Sequence, residues 1–478
     1  RIAEALPDDL FISRSSVVLP EIREYERGMT TWLNAWIGPL VEGYVGRLQA
    51  QLRGSRLSVM QSSGDTVAAH QAGGQAVRML LSGPAGGLVA AGFVAGQSRL
   101  LTFDMGGTST DVALVDGQPR LTSEGHIAGY PVAVPMVDMH TIGAGGGSIA
   151  WLDKGGMLQV GPESAGADPG PACYGKGGRR PTVTDANLVL GRLRADDFLG
   201  GDMLLDEDAA KQAVLELAGA MDCSMQQAAS GIIALANEHM VRALRTISVQ
   251  RGIDPRYFTL VSFGGAGGLH VCALAEALGL EQAMVPVYGG VLSALGMLAA
   301  RPGRQLSRTW QVSLQSVDSD SVNEKLDELA KQGIAALADE GVNPDQCSLQ
   351  PSLDCRYKGQ SYTLNIPWLH LRQAQEDFHS LHQARYGHSM DIPVELVNLR
   401  IAVTGPAPDL VLEAPEHGVS GPVEEDERGV KHYQRVSLAP GDIIEGPAII
   451  SERVATTWLA AGWHCRVDKT GNLLLGYK

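Results

Sequence analysis

The sequence contains few aromatic residues and no cysteine pattern typical of a metal site or a disulfide framework. Phe, Trp and Tyr together make up 5% of its 478 residues, too few for an extensive aromatic recognition surface. The six cysteines are scattered, and no two of them form a C-x-x-C pair. A zinc cluster and a disulfide-stapled secreted domain are therefore disfavoured, and we expect a reducing, cytoplasmic compartment.

Positive charge and long apolar segments are also scarce. The chain carries 38 Lys and Arg against 53 Asp and Glu, which gives a formal net charge of −15 at pH 7. Such an acidic balance disfavours binding to nucleic acid or to an anionic membrane surface. The longest apolar runs, near 86–96 and 285–300, are rich in glycine and fall short of the roughly 20 residues that span a bilayer. We therefore expect no nucleic-acid partner and no membrane segment.

Glycine, by contrast, is abundant. The chain has 58 glycines, well above the average share of about 7%. An apolar content of 44% and a charged content of 19% are typical of a folded globular protein. At roughly 150 residues per domain the length predicts about three domains. Changes in composition along the chain predict three domains at 1–80, 81–302 and 303–478. The glycine clusters are concentrated in the middle domain.

Apolar periodicity predicts alternating helices and strands. A helix over 21–52 has apolar residues at three- and four-residue spacing, so we expect this stripe to pack on a core, with Gly38-Pro39 kinking or splitting the helix. Strands are predicted over 99–103, 111–115 and 257–263, and helices over 206–219 and 224–251. This alternation is typical of an α/β domain. A helix over 320–341 and several short strands then predict a separate, strand-rich C-terminal domain of α+β type.

The strongest local signal is the segment 103–111, with the sequence FDMGGTSTD. It predicts a hairpin that places Asp104 and Asp111 at the two ends of a Gly/Ser/Thr turn. Glycines let backbone N–H groups approach an anion closely, and the hydroxyl groups add further donors. Carboxylates repel a phosphate, but they can hold Mg²⁺ and its waters against phosphate oxygens. The alternative is an ordinary tight hairpin whose Asp and Thr side chains satisfy the turn backbone.

A second signal is the segment 263–268, FGGAGG, which ends a predicted strand and precedes an apolar helix from about His270. A strand that opens into glycines before a helix suits the sugar or phosphate of a nucleotide, because backbone groups and a helix N-terminus are exposed there. The same pattern also occurs for packing alone. His270 is a candidate ligand or catalytic group, but a structural histidine is the favoured interpretation.

Three further glycine clusters lie at 82–87, 142–149 and 164–175. Near them, Asp138, His140 and Asp185 are candidates for a metal site, the first two on one face of a strand. Nothing in the sequence brings Asp185 close to the other two, so purely structural roles are favoured. Cys173 is a candidate nucleophile without an identifiable histidine partner, and a buried structural thiol is the favoured interpretation.

Together these motifs resemble the hydantoinase A/5-oxoprolinase family. The matching segments are SGPAGG at 82–87, FDMGGTSTD at 103–111, TIGAGGGSIA at 141–150, GPACYG at 170–175, TVTDAN at 182–187, FGGAG at 263–267, RYKGQSY at 356–362 and GPAII at 446–450. In this order and spacing the combination is highly specific, and it extends over nearly the whole chain. The resemblance implies an α/β core of the actin/Hsp70/sugar-kinase ATPase type, a ribonuclease H-like lobe followed by the C-terminal α+β domain.

The resemblance also assigns candidate site residues. Asp104 and Asp111 are the expected catalytic residues: Asp104 is expected to bind Mg²⁺, and Asp111 is expected to orient the loop or the metal shell. Backbone groups of two loops are expected to bind ATP: Gly106, Gly107 and Thr108 around the phosphates, and Gly264, Gly265 and Gly267 around the adenosine. Gly268 replaces the proline that is usual in the family, which we expect to loosen the adenosine loop without abolishing binding.

The activity implied by the resemblance is ATP-dependent hydrolysis of a cyclic amide. Phosphorylation of the amide oxygen of a hydantoin, N-methylhydantoin or 5-oxoproline would prepare the ring for opening by water. A hydantoinase B-type subunit is the expected partner for hydrolysis, within an oligomer. Two alternatives stay open: a subunit like the acetone carboxylase β subunit, which phosphorylates a ketone for carboxylation, and a non-catalytic structural subunit.

The family's full-length members also contain an N-terminal lobe with its own Asp-x-Gly-Gly-Thr phosphate loop. No second copy of this pattern precedes Asp104 here, and the chain starts with Arg1 rather than Met. By the resemblance, residues 1–80 correspond to the C-terminal part of that lobe. We therefore expect a processed, trimmed or truncated chain, which by itself would bind Mg-ATP poorly and would be inactive.

Overall fold

The computed structural model describes residues 3–7, 10–52, 54–96, 99–127, 129–412 and 421–477. Its α-helices are α1 (Ser15–Val18), α2 (Glu24–Gln51), α3 (Ala69–Ala72), α4 (Ser82–Ala95), α5 (Val183–Val189), α6 (Glu207–Ala220), α7 (Met225–Ile247), α8 (Val271–Leu278), α9 (Leu292–Ala299), α10 (Ser319–Ala338) and α11 (Leu371–Tyr386).

The β-strands include many short pieces. They are β1 (Ser58–Met60), β2 (Thr66–Ala68), β3 (Arg99–Met105), β4 (Thr110–Asp116), β5 (Gln118–Pro119), β6 (Leu121–Thr122), β7 (Gly125–Ile127), β8 (Tyr130–Val132), β9 (Met136–Val137), β10 (Met139–Ile142), β11 (Ser148–Leu152), β12 (Leu158–Ser164), β13 (Thr259–Phe263), β14 (Gln282–Val285), β15 (Gly303–Ser313), β16 (Ser348–Tyr357), β17 (Leu364–Pro367), β18 (Val394–Thr404), β19 (Glu424–Glu425), β20 (Lys431–Gln434), β21 (Ile443–Glu445), β22 (Ala448–Glu452), β23 (Ala455–Leu459), β24 (Trp463–Val467) and β25 (Leu473–Tyr477).

The described chain forms two compact units. The first unit contains the described residues within 1–86, 121–137 and 297–409, and the second contains those within 87–120, 138–296 and 410–478. Each unit is thus assembled from segments that are far apart in the sequence. The division into domains at 1–80, 81–302 and 303–478 stays a prediction, because it was based on changes in composition along the sequence.

A nine-stranded mixed sheet organises the second unit. Its strand order is β10-β4-β3-β13-β14-β25-β24-β21, with β5 paired to β4. Strand β3 pairs antiparallel with β4 and parallel with β13, which in turn pairs parallel with β14. The predicted α/β character is confirmed. The strands from the end of the chain join this sheet through β14 and β25, where Val285 is paired with Leu473.

Helix α7 packs against this sheet, on strands β4 and β10. It begins with a capping box, because Ser224 Oγ accepts a hydrogen bond from Gln227 N at 3.2 Å and the Gln227 side chain accepts one from Ser224 N at 2.9 Å. Such a box satisfies N–H groups that the first helical turn leaves open. Ile232, Met240 and Leu244 are buried on the inner side of the helix. The predicted amphipathic helix therefore covers the core next to the strands that carry Asp104 and Asp111.

The first unit is centred on a four-stranded antiparallel sheet in the order β15-β18-β16-β17. Helix α10 packs on β15 and β18, and α11 packs on β17. Leu326, Tyr357 and Phe378 are buried in the core between these helices and the sheet. The helix and strands predicted from 320 onwards are confirmed in type, with boundaries that shift by a few residues.

Helix α2 differs from the sequence expectation. The helix runs unbroken through Pro39, so the predicted split does not occur. Only part of the apolar stripe packs on a core: Leu33 is buried in an apolar cluster, whereas Trp36 is 63% and Leu40 is 68% exposed. The helix is instead held in part through Asn34, whose side chain donates to Gly74 O and accepts from Val77 N, both at 3.1 Å. The prediction that the whole apolar stripe packs on a core is therefore wrong: Leu33 is buried beside Asn34, but the side of the helix that carries Trp36 and Leu40 is exposed.

The apolar run near residue 90 forms part of α4, in which Leu88, Ala90 and Ala91 are buried. At a rise of about 1.5 Å per residue, this helix is shorter than the roughly 30 Å hydrocarbon core of a bilayer. In the described part of the chain no single helix has both the length and the apolar composition to cross a membrane. The bent pair Ala69–Met79 and Ser82–Ala95 has the required length and composition only when its two helices are counted together.

Candidate functional site

The β3–β4 hairpin brings two carboxylates face to face. Asp104 on β3 is directly opposite Asp111 on β4, and the strands continue to the pair Met105 and Thr110. Directly opposite residues of an antiparallel pair project from the same face of the sheet. The turn between the strands is closed by a hydrogen bond from Gly106 N to Ser109 O at 3.1 Å. The predicted hairpin is confirmed, with a shorter turn than the sequence suggested.

The electrostatics of this pair favour a bound cation. Burial, followed by repulsion from Asp111, raises the pKa of Asp104 to about 6. Burial also raises the pKa of Asp111, while a 2.6 Å hydrogen bond from the Thr141 hydroxyl opposes that shift. Within the described residues no Lys or Arg forms an ion pair with either carboxylate. Two adjacent carboxylates without a positive partner are the donor set that a hard divalent cation prefers, so these residues fit Mg²⁺.

The turn itself offers unpaired backbone donors. The N–H groups of Gly107, Thr108 and Ser109 have no hydrogen-bond acceptor among the described residues. Gly107 and Thr108 are also exposed. Successive backbone N–H groups in a turn form an anion-binding concavity. The turn therefore fits phosphate oxygens beside the carboxylate pair.

The second glycine motif lies against Asp104. Strand β13 pairs with β3 so that Phe263 is opposite Asp104, and Gly264 follows at once. Gly264 has a φ of +78°, and a Cβ there would lie 2.3 Å from Asp104 Oδ1 and 2.5 Å from Met105 O. Only glycine fits, because any side chain would displace the carboxylate. Both the turn motif at 103–111 and the glycine motif at 263–268 are recognisable in the sequence, but their direct contact depends on the pairing of β3 with β13.

The other glycines of this motif are also positions of close approach. A Cβ on Gly265 would lie 3.2 Å from Val454 O, and one on Gly267 would lie 2.7 Å from Ser262 Oγ. Ala266 N donates to Met105 O at 3.1 Å, which ties the loop to the end of β3. The predicted adenosine loop is therefore adjacent to the predicted phosphate loop. The ligand contacts assigned to these glycines stay predictions.

A third glycine run, at 145–147, is hydrogen bonded to the backbone of the turn at 106–109. The sequence did not reveal this role. Gly146 N donates to Gly106 O at 3.0 Å, and Gly147 N donates to Gly107 O at 2.7 Å. A Cβ on Gly145 would lie 2.7 Å from both Thr108 N and Ser109 N. The absence of a side chain at Gly145 thus leaves space beside two of the open N–H groups. The only signal in the sequence was the glycine cluster at 142–149 itself.

A groove of about 370 Å³ lies beside the glycine segment that follows β10. Its lining includes Trp151 from the β11–β12 hairpin, His239 and Arg242 from α7, and Gly143 and Ala144. The Ala144 carbonyl accepts a hydrogen bond from the hydroxyl of Thr110, which follows the turn. The groove and the open turn therefore share one supporting segment.

The structure does not assemble the metal site considered for Asp138, His140 and Asp185. Asp138 forms an ion pair with Arg251. Asp185 is fully buried, and its carboxylate accepts hydrogen bonds from backbone N–H groups and from the Thr182 hydroxyl at 2.7 Å. His140 lines the groove instead. The described residues contain no group of three His, Cys, Asp or Glu side chains suited to a metal, so that hypothesis is wrong for this trio.

Cys173 and His270 have the structural roles that the sequence favoured. Cys173 is fully buried, and burial followed by the nearby Asp185 raises the pKa of its thiol. His270 is 1% exposed, its Nδ1 lies 2.6 Å from Asn237 Oδ1, and burial lowers its pKa to about 3. A thiol that is hard to ionise is a poor nucleophile. An enclosed, neutral imidazole cannot reach a substrate at the turn.

The fold and the site together describe a mixed α/β protein in which a turn with open N–H groups lies beside two opposed carboxylates. Comparison with known proteins makes this more specific. Residues 27–305 match the Hydantoinase/oxoprolinase family model. The chain is also 36% identical to caprolactamase subunit alpha of Pseudomonas jessenii, over 98% of this chain and 72% of that protein. The chain belongs to the hydantoinase/oxoprolinase family.

Other known proteins extend the comparison. The crystal structure of the ATP-dependent caprolactamase from Pseudomonas jessenii superposes with a TM-score of 0.89 at 35% identity, covering 100% of this chain and 74% of that one. Acetone carboxylase in its nucleotide-free form gives a TM-score of 0.75 at 27% identity, covering 97% of this chain and 71% of that one. The 5-oxoprolinase of Dictyostelium discoideum is 30% identical over 93% of this chain and 39% of its own length. The predicted actin-like ATPase fold class is confirmed by the two structural neighbours.

Proposed function

We propose that this chain is a subunit of an ATP-dependent amidohydrolase that activates a cyclic amide for ring opening. The observation that carries the proposal is the turn at 106–109, where open N–H groups lie beside the opposed carboxylates of Asp104 and Asp111. That arrangement suits a phosphate chain with its cation. The named relatives, an ATP-dependent caprolactamase and a 5-oxoprolinase, support the substrate class.

Each residue has a distinct role in this proposal. Asp104 holds Mg²⁺, and Asp111, fixed by the Thr141 hydroxyl, orients the shell around it. Gly107 and Thr108 present backbone N–H groups to phosphate oxygens. Gly106, which the sequence also assigned to the phosphates, uses its N–H group in the hydrogen bond to Ser109 O and instead holds the turn in place. Such fixed dipoles stabilise charge without reorganising during the reaction. When bound, ATP would supply a phosphoryl group to the amide oxygen, with ADP left over; this would make the amide carbon more open to attack by water, so that the C–N bond of the ring can break.

The need for ATP follows from the substrate. An unstrained lactam is a stable amide, and its opening by water is slow or unfavourable without activation. We propose that water opens the activated ring in a hydantoinase B-type partner subunit. Support comes from the relative of this chain that is named as one subunit, caprolactamase subunit alpha. The complete assembly is then a hetero-oligomer.

One other reaction has a specific observation in its favour. The structural likeness to acetone carboxylase supports phosphorylation of a ketone oxygen for carboxylation. Both reactions use the same phosphate and cation contacts, so the turn does not distinguish them. The higher identity to the caprolactamase, 35% against 27%, makes the cyclic amide the first choice. A non-catalytic subunit is disfavoured, because it would not need open N–H groups beside unpaired carboxylates.

The proposal is tested by phosphate release from ATP, using the natural full-length protein mixed with its B-type partner. Hydantoin, N-methylhydantoin, 5-oxoproline, caprolactam and acetone are offered separately, and one cyclic amide should stimulate release. Asp104→Asn should reduce that release by at least about a hundredfold. Asp116→Asn is the matched control, since this carboxylate lies on the same strand as Asp111, is exposed and pairs with Arg99 at the surface.

The outcomes separate the candidates. Stimulation by acetone alone would replace the cyclic amide by a ketone as the substrate. Unchanged phosphate release from Asp104→Asn would contradict the role given to this carboxylate. No stimulation by any compound, with folded protein and partner, would favour the non-catalytic subunit.

A further inference from the structure

An exposed tyrosine with an unfavourable backbone conformation lies beside the glycine loop at 264–268. Tyr288 follows β14 and precedes α9, and it has φ +60° and ψ +28°. Bulky residues rarely adopt this left-handed conformation, because it is strained, and such strain recurs at ligand-binding positions. The side chain gains no burial in return, because Tyr288 is 51% exposed. Folding alone therefore does not explain a tyrosine here.

Direct contacts connect Tyr288 to the candidate site. The carbonyl of the next residue, Gly289, accepts a hydrogen bond from Gly264 N at 3.0 Å. Gly264 in turn adjoins the carboxylate of Asp104. On the other side, a Cβ on Gly290 would lie 2.5 Å from the carbonyl oxygen of Val454, so the Tyr288 segment is held between two neighbouring loops.

The tyrosine ring itself has no role within the described fold. Its hydroxyl makes no hydrogen bond, and its ring has no aromatic or cationic partner, among the described residues. An exposed aromatic ring with a fixed backbone provides a flat apolar surface at little cost in side-chain entropy. A nucleotide base stacks on such a surface, typically with a loss of about tenfold or more in affinity when the ring is removed.

We propose that Tyr288 is the residue on which the purine base of the bound nucleotide stacks. The inference rests on the proposed function, because it requires a nucleotide whose phosphates lie at the turn 106–109. It adds the position of the base: beyond Gly264, on the side of the glycine loop where Gly289 is hydrogen bonded. The left-handed backbone at Tyr288 then serves to present the ring at the loop surface.

The test compares two probes, ATP and inorganic triphosphate, each with Mg²⁺ and each titrated by calorimetry into the natural full-length protein. Tyr288→Ala should weaken ATP binding by roughly tenfold, about 1.4 kcal/mol, and leave triphosphate binding unchanged. Tyr288→Phe should retain the affinity for ATP, since the ring remains. Tyr257→Ala is the matched control, because Tyr257 is an exposed tyrosine of the same unit at 70% exposure.

Each contrary result has a different meaning. Unchanged ATP binding in Tyr288→Ala would overturn the stacking role. An equal loss for ATP and triphosphate would also overturn it, because the substitution would then act on the phosphate site or on folding. If the unmodified protein binds triphosphate but not ATP, no base site exists at Tyr288. If it binds neither probe, the nucleotide site fails and this inference fails with it.

Discussion

Gly264→Ala is the substitution that most directly tests how the two glycine motifs fit together. A methyl group at this position would meet Asp104 Oδ1 at 2.3 Å and Met105 O at 2.5 Å. Rotation of the Asp104 side chain can relieve the first contact. The second involves backbone that is held by strand pairing with β13 and by a hydrogen bond from Ala266 N. The strand and the glycine loop must therefore separate.

The expected loss of stability has two parts. Alanine in the left-handed conformation, at a φ of +78°, costs about 1 kcal/mol. The overlap with fixed backbone adds about 2 kcal/mol, a typical value for overpacking a closed site. The free energy of unfolding should therefore fall by about 3 kcal/mol. ATP binding should weaken as well, because Asp104 is displaced from its position opposite Asp111.

Gly279→Ala provides the matched control. Gly279 ends helix α8 with a φ of +66°, but a Cβ there meets nothing within 4 Å. This variant should lose only the backbone part, about 1 kcal/mol. Urea titrations followed by the fluorescence of the seven tryptophans measure both losses, and equal slopes show that the same transition is compared. Equal losses in the two variants would refute the close contact between Gly264 and the end of β3.

Two further predictions concern buried carboxylates. The pKa of Asp104 is about 6 in the folded chain against an ordinary 3.8, so the native state binds the extra proton and stability falls as pH rises from about 4 to 6. Asp104→Asn should reduce that fall in urea titrations across the same range, and Asp111, whose pKa burial also raises, should retain a part of it; an unchanged slope would contradict the burial of Asp104. Asp185→Ala should lower the free energy of unfolding by about 3 kcal/mol, since three backbone N–H groups and the Thr182 hydroxyl lose their acceptor. A loss below about 1 kcal/mol in the same titrations would show that those donors find other partners.

Much of the local structure and the family could be predicted from the sequence. The hairpin at 103–111 and the strand before Gly264 follow from short apolar runs next to glycines, which are local properties of the chain. Helix α7 is likewise predicted from its apolar spacing, over 224–251 in the sequence against Met225–Ile247 in the structure. Motif order along the chain was sufficient to identify the family, which the comparisons confirm.

The burial and the partners of several side chains depend on tertiary packing and could not be predicted from local sequence patterns. Apolar spacing in α2 predicted a buried stripe, but Trp36 is exposed, and Asn34 makes buried hydrogen bonds to residues 40 or more positions away. Asp138 and His140 have metal-ligand character in the sequence, yet an ion pair with Arg251 occupies the first of them. The pattern shows which side chains are available, and the fold determines their neighbours.

The sequence by itself determined which chemical groups this protein carries at its candidate site: the carboxylate of Asp104, the flexible backbone of the turn, and a second glycine loop. Only the tertiary structure decided that Gly264 touches that carboxylate and that Gly145 leaves room beside the open N–H groups. The reason is physical. Residue type fixes charge and backbone freedom locally, whereas burial, pKa and close approach depend on strands and loops that meet from distant parts of the chain.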